Sequence, residues 1–90
     1  MAFTVESQTT QISNIFIDEY MPKAHPPYVL IYLYAYRHIV NGNNTLTNQS
    51  IAEALDFLES DVLRCWKYWQ KQGIISLSED GSVHFLPIVS

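Results

Sequence analysis

A single cysteine, Cys65, is all the chain offers in 90 residues, and that scarcity excludes both an intramolecular disulfide and a multi-cysteine zinc site. Basic side chains are scarce as well. Five Lys and Arg stand against nine Asp and Glu, a formal net charge of −4. That is the wrong sign for a domain whose main work is gripping phosphates, although a local stripe can still be basic. No apolar run approaches the roughly 18 residues of a membrane span, and no basic stretch followed by an apolar segment opens the chain. The expectation is a cytoplasmic protein without membrane contact. His25, His38 and His84 fall in three separate stretches with no HxxxH or CxxC spacing, which argues against a metal site. The chain has no phosphate-cradling glycine loop, no GxSxG and no convincing pair of catalytic carboxylates, so neither a cofactor nor an enzymatic activity is expected.

What the chain does have is apolar content, 48% of its residues, enough for one domain with one core. Met1 to Thr10 is polar and aperiodic, so residues 1–12 read as a flexible N-terminal arm and residues 13–90 as the folded domain. From Ser13, the stretch Asn14-Ile15-Phe16-Ile17-Asp18-Glu19-Tyr20-Met21 reads as a short helix capped by Ser13 or Asn14. Phe16 and Tyr20 point inward with Ile17 beside them, and Pro22 ends or kinks the helix. Pro26-Pro27 suits the first turn of a second helix that runs to about Val40. Its interior, Tyr28 to Tyr36, is apolar or aromatic on every face, a pattern that normally means burial all round. One small domain cannot readily supply that cover. Either this is a central core helix whose tyrosine hydroxyls reach water, or one flank also forms a subunit interface, a setting that suits tyrosine.

Asn41-Gly42-Asn43-Asn44 has the chemistry of a loop. A third helix begins near Thr47 or Asn48 with Ile51, Ala54 and Leu55 as its apolar positions, Asp56-Phe57-Leu58 makes a turn, and Glu59-Ser60 opens the second helix of the pair. There Ser60 can cap, Asp61 meets the positive end of the helix dipole, and Gly73 falls where a left-handed stop is needed. Ile74 to Ser78 and Val83 to Pro87 are short apolar strands around Glu79-Asp80-Gly81. A hairpin directly behind a helix-turn-helix is a wing. The expected fold class is therefore mainly α with a small β-hairpin, a winged helix-turn-helix with an additional N-terminal helix.

At about 100° per residue, Val62, Leu63, Trp66 and Trp69 share one sector of that last helix, with Cys65 at its edge. Arg64, Lys67 and Lys71 gather opposite. Three of the five Lys and Arg thus lie on one stripe, the surface that a DNA-reading winged helix puts into the major groove. The same stripe is equally the solvated side of an amphipathic helix. Glu59 and Asp61 crowd the end that a recognition helix inserts, where they would repel phosphates. Trp66 and Trp69 fall in the apolar sector, which suits core positions better than base stacking, and Cys65 reads as a small buried side chain rather than a nucleophile.

Three segments, Ser13-Asn14-Ile15-Phe16-Ile17-Asp18-Glu19-Tyr20-Met21-Pro22, Tyr28-Val29-Leu30-Ile31-Tyr32-Leu33-Tyr34 and Asp61-Val62-Leu63-Arg64 with Lys67-Tyr68-Trp69-Gln70-Lys71-Gln72-Gly73, together resemble the N-terminal domain of DnaD-like bacterial replication initiation proteins, components of the primosome. The likeness runs from Ser13 to about Leu77. It implies a role in DNA replication, with this domain acting chiefly in self-association and in docking other replication initiation proteins. DNA binding is implied to belong largely to a C-terminal domain, and no such region follows the hairpin before Ser90. Either an excised domain or a stand-alone docking form is expected on that basis. Self-association in the family is implied to involve the N-terminal segment and the wing, where strand edges can pair between chains. The candidates are Phe3 and Val5 in the arm, Tyr28, Tyr32 and Tyr36 on the second helix, and Val83, Phe85 and Ile88 near the end. Phe85 has the alternative of packing inward on Trp66 or Trp69. Arg64, Lys67 and Lys71 remain the candidate DNA contacts.

Overall fold

Proline placement shapes the first part of the chain. In the computed structural model, which describes residues 9–43 and 45–89, Ser13 Oγ accepts the Ile15 backbone N–H at 3.1 Å and starts a short helical segment. This segment does not stay α-helical as its sequence suggests. Phe16–Tyr20 is a π-helical turn and Met21–Lys23 a 3₁₀ turn. Pro22 has no N–H to give, and its ring obstructs the carbonyl four residues back, so the hydrogen-bond ladder widens before it and tightens after it.

Helix α1 spans Pro26–Val40, with prolines in its first turn, and stops at Asn41-Gly42. Helix α2, Asn48–Leu55, carries a full capping box. Thr47 Oγ1 accepts the Ser50 N–H at 3.0 Å and Ser50 Oγ accepts the Thr47 N–H at 2.9 Å. Helix α3, Glu59–Gln72, begins one residue before the expected Ser60 cap. Its cap comes instead from Asp61, whose Oδ2 reaches back to the Leu58 N–H at 3.1 Å. Gly73 ends α3 at φ +84°, in the left-handed region where a side chain would be strained.

Strands β1, Ile75–Leu77, and β2, Val83–Phe85, pair antiparallel with Ile75 opposite Phe85 and Leu77 opposite Val83. The connection is a turn closed by Gly81 N–H to Ser78 O at 2.9 Å, with Gly81 at φ +87°. That left-handed glycine, followed by the Ser78 N–H to Ser82 O bond at 2.9 Å, restores the strand register. The chain is thus mainly helical with a small two-stranded antiparallel sheet.

The core lies where α1 crosses α3. Trp69 is fully buried, with ring centroids 5.5 Å from Phe16, 5.4 Å from Tyr32 and 4.8 Å from Tyr68. Phe16 stacks on Tyr32 at 4.5 Å, which ties the π-helical turn to the middle of α1. Trp66 is buried too, and its indole N–H donates to Asn48 Oδ1 at 2.9 Å, linking α3 to the start of α2. The Tyr28 carbonyl accepts from Trp69 Nε1 at 3.0 Å and from Cys65 Sγ at 3.5 Å, a polar tie across an otherwise apolar contact. Among the described residues no helix is long and apolar enough to cross a membrane.

Candidate protein-interaction surface

Helix α1 divides its side chains between two opposite faces. Tyr28, Ile31, Tyr32 and Ala35 recur at helical spacing and turn toward α3. Pro26, Leu30, Leu33, Arg37 and Val40 recur at three- and four-residue intervals on the other side. That second stripe faces solvent. Leu30 is 52% exposed and Val40 51%, with Leu33 half-buried between them. At its N-terminal end, Met21, Pro22, Ala24, Pro26, Val29 and Leu30 line an open apolar groove of about 370 Å³. The stripe is continuous with that groove through Leu30, which makes one exposed apolar patch along this side of the molecule.

The tyrosines singled out from the sequence do not form it. Tyr32 is only 3% exposed and belongs to the core, so it presents almost no surface. Tyr36 stacks on Tyr32 at 5.9 Å and meets Phe85 edge-on at 5.4 Å. Tyr28 is half-buried with its ring 5.4 Å from Tyr68, on the α3 side. Phe85 points inward, with centroids 5.1 Å from Tyr32 and 6.0 Å from Trp66. Ile88 is half-buried and, with Ile12, Phe16, Tyr32 and Tyr36, lines a small cavity of about 90 Å³. Val83 is half-buried against the same core, so the six described candidates are engaged within their own chain, and Ile12, assigned to the arm, packs on the core edge with them. Phe3 and Val5 lie outside the described residues. The helical spacing of Leu30, Leu33 and Val40 marks the outward stripe in the sequence, and the tyrosines Tyr28, Tyr32 and Tyr36 stand on the other flank.

Arg64, Lys67 and Lys71 are exposed on one side of α3, with Leu63 beside them at 47% exposure rather than in the core sector expected for it. The Arg64 guanidinium pairs with the Asp61 carboxylate one turn earlier, an exposed contact that partly offsets its charge. Asp61 in turn caps the helix, so the N-terminal end of α3 presents a neutralised pair beside Glu59. A second depression lies between the hairpin turn and α2, where Asn48, Trp66, Ser82, Val83 and Phe85 contribute to its wall. Among the described residues no group of three His, Cys, Asp or Glu side chains is arranged to hold a metal ion.

Comparison with known proteins finds no match. Neither protein-family models, nor curated proteins, nor solved structures yield one. The surface must be interpreted from its own chemistry.

Proposed function

We propose that this chain is a non-enzymatic docking domain, a winged helix-turn-helix with an additional N-terminal helix, that associates with itself and binds other replication initiation proteins in the manner of the N-terminal domain of DnaD-like primosome proteins. The observation that carries the reading is the outward stripe of α1, apolar except for Arg37 and open to water at Leu30 and Val40. The order α2, turn, α3, hairpin supports the winged-helix assignment, and the net charge of −4 favours protein contacts over duplex. On this reading the protein works in the cytoplasm and touches DNA weakly or through a separate C-terminal domain.

The test is sedimentation equilibrium over a wide concentration range. Leu30 is exposed, so Leu30→Asp leaves the fold intact by circular dichroism while placing a charge in the contact. The parent chain is expected to associate, and the variant to associate at least about tenfold more weakly, as for a central anchor. Equal association of the two chains would remove α1 from the interface.

A second reading rests on the three exposed cations of α3. As a DNA-binding winged-helix regulator, the domain would use Arg64, Lys67 and Lys71 on phosphates or base edges. Replacing all three by Ala would then abolish duplex binding and flatten its salt dependence. The docking reading expects little duplex affinity in the parent and no change in the triple variant, measured by fluorescence anisotropy at low salt.

A further inference from the structure

The depression between the hairpin turn and α2 has a volume of about 370 Å³, within the range of about 300–1,000 Å³ typical of small-molecule sites. Four elements wall it, with Ala35 and Ile39 from α1, Ile51 from α2, Trp66 from α3, and Val83 and Phe85 from β2. Ala35, Ile51 and Trp66 are buried, so the floor of this cleft is part of the core itself. Val83 and Phe85 are half-buried and place the strand against that floor.

Two polar side chains also line the cleft. An indole N–H can only donate, so the Asn48 amide turns its oxygen to Trp66 Nε1, at 2.9 Å. That leaves the Asn48 NH2 as a fixed donor pair, with no acceptor among the described residues. The second is Asp80, the single charged side chain among the lining residues, with no Lys or Arg there to offset it. Asp80 Oδ1 accepts the Ser82 N–H at 3.0 Å, and that bond holds the carboxyl below its ordinary range, so Asp80 is ionised at neutral pH.

We propose that this cleft binds a small, largely apolar organic cation that carries one hydrogen-bond acceptor, with its apolar body against Ile51, Val83 and Phe85, its acceptor on the Asn48 amide and its positive charge beside Asp80. The site is separate from the outward stripe of α1, and the proposal does not depend on the docking reading. An anion would meet the Asp80 carboxylate with no cation to offset it. A pure hydrocarbon would cover the Asn48 NH2 and the carboxylate without giving either a partner, which costs binding energy. Apolar burial therefore supplies the affinity here, and the two polar groups select the ligand.

The experiment is a titration of the isotopically labelled chain, followed by heteronuclear NMR at low salt and slightly acidic pH, where an alkylamine is charged. The probe is benzimidazole carrying an aminomethyl arm, whose ring nitrogen serves as the acceptor. Its neutral twin carries a hydroxymethyl arm. With the amine, the signals of the Asn48 side-chain amide and the Trp66 indole N–H are expected to shift together along one saturable curve. The twin is expected to bind about two- to fivefold more weakly, the worth of an exposed ion pair. Asp80→Asn keeps the oxygen that accepts from Ser82 and removes the charge, so it should bind the amine no better than the parent binds the twin. Ile39→Lys, at a position 42% exposed, sets a like charge in the wall and should weaken the amine while circular dichroism shows the chain folded. Equal binding of the two probes by the parent, or undiminished binding of the amine by Asp80→Asn, overturns the selection of a cation. Undiminished binding by Ile39→Lys, shifts that miss Asn48 and Trp66, or the lack of any saturable shift overturns the site. None of these results bears on self-association, which sedimentation reads separately.

Discussion

At the scale of single residues, burial sets the chemistry of two titratable groups that meet the same aromatic cluster. Burial pushes the Cys65 thiol from 9.0 up to about 12, against a weaker downward pull from the Trp69 side chain. Burial likewise raises the Tyr32 hydroxyl from 10.0 to about 12, with Tyr36 adding to the effect. In both cases the folded state holds its proton more tightly than the unfolded chain. Stability from these groups is therefore complete below about pH 9 and is lost as pH rises toward 12. The urea midpoint, followed by tryptophan fluorescence, should fall steadily across that window. Cys65→Ala, compared with its own value at neutral pH, should begin its fall about one pH unit later, because only Tyr32 then contributes. A midpoint that stays level to about pH 11 would show that neither side chain is held in its neutral form by the fold. The same burial makes Cys65 inert as a nucleophile at physiological pH, since the thiolate is the reactive species.

At the scale of elements, the caps and stops carry stability that packing does not. Thr47→Ala removes the acceptor for the Ser50 N–H and should cost about 1 kcal/mol by chemical denaturation. Gly73→Ala meets no atom within 4 Å, so its cost comes from the left-handed backbone alone, about 1 kcal/mol. A neutral effect of Gly73→Ala would mean that α3 ends elsewhere in solution. Gly73 was legible in the sequence because a positive φ depends on local chemistry, whereas the start of α2 was legible only to Thr47 or Asn48, without its capping box. The burial of Trp66 and Trp69 was legible as well, since Arg64, Lys67 and Lys71 mark the outward side of α3. No such marker exists on α1, where Leu30 and Val40 face water, Leu33 is half-buried, and Ile31, Tyr32 and Ala35 face the core. With both faces apolar, periodicity cannot say which flank the rest of the chain covers. Leu63 failed for a related reason, standing at the border of the two sectors. Asp61 displaced Ser60 as the cap because a carboxylate three residues into a helix can reach back to the first N–H, an option that the hydroxyl at Ser60 did not take.

At the scale of the whole molecule, folding and association are linked, because a partner that binds only the folded chain stabilises it in proportion to the logarithm of its concentration. A chain of 90 residues, with one core and neither disulfide nor metal expected to staple it, gains much from such a partner. At a concentration a hundredfold above the dissociation constant the gain is about 2.7 kcal/mol, which for a domain of this size corresponds to a rise in Tm of roughly 10–20 °C. Thermal unfolding of the parent chain, followed by circular dichroism from dilute to concentrated solution, should therefore show a Tm that climbs with concentration. Leu30 is half exposed, so the Tm of Leu30→Asp should lie close to that of the parent at the dilute end and climb less as concentration rises. Convergence of the two chains on dilution separates lost association from a damaged fold, which would lower the variant at every concentration. A parent Tm that does not move over a hundredfold range would mean that the folded chain gains nothing from a second copy, and the exposed face of α1 would then have to serve another protein.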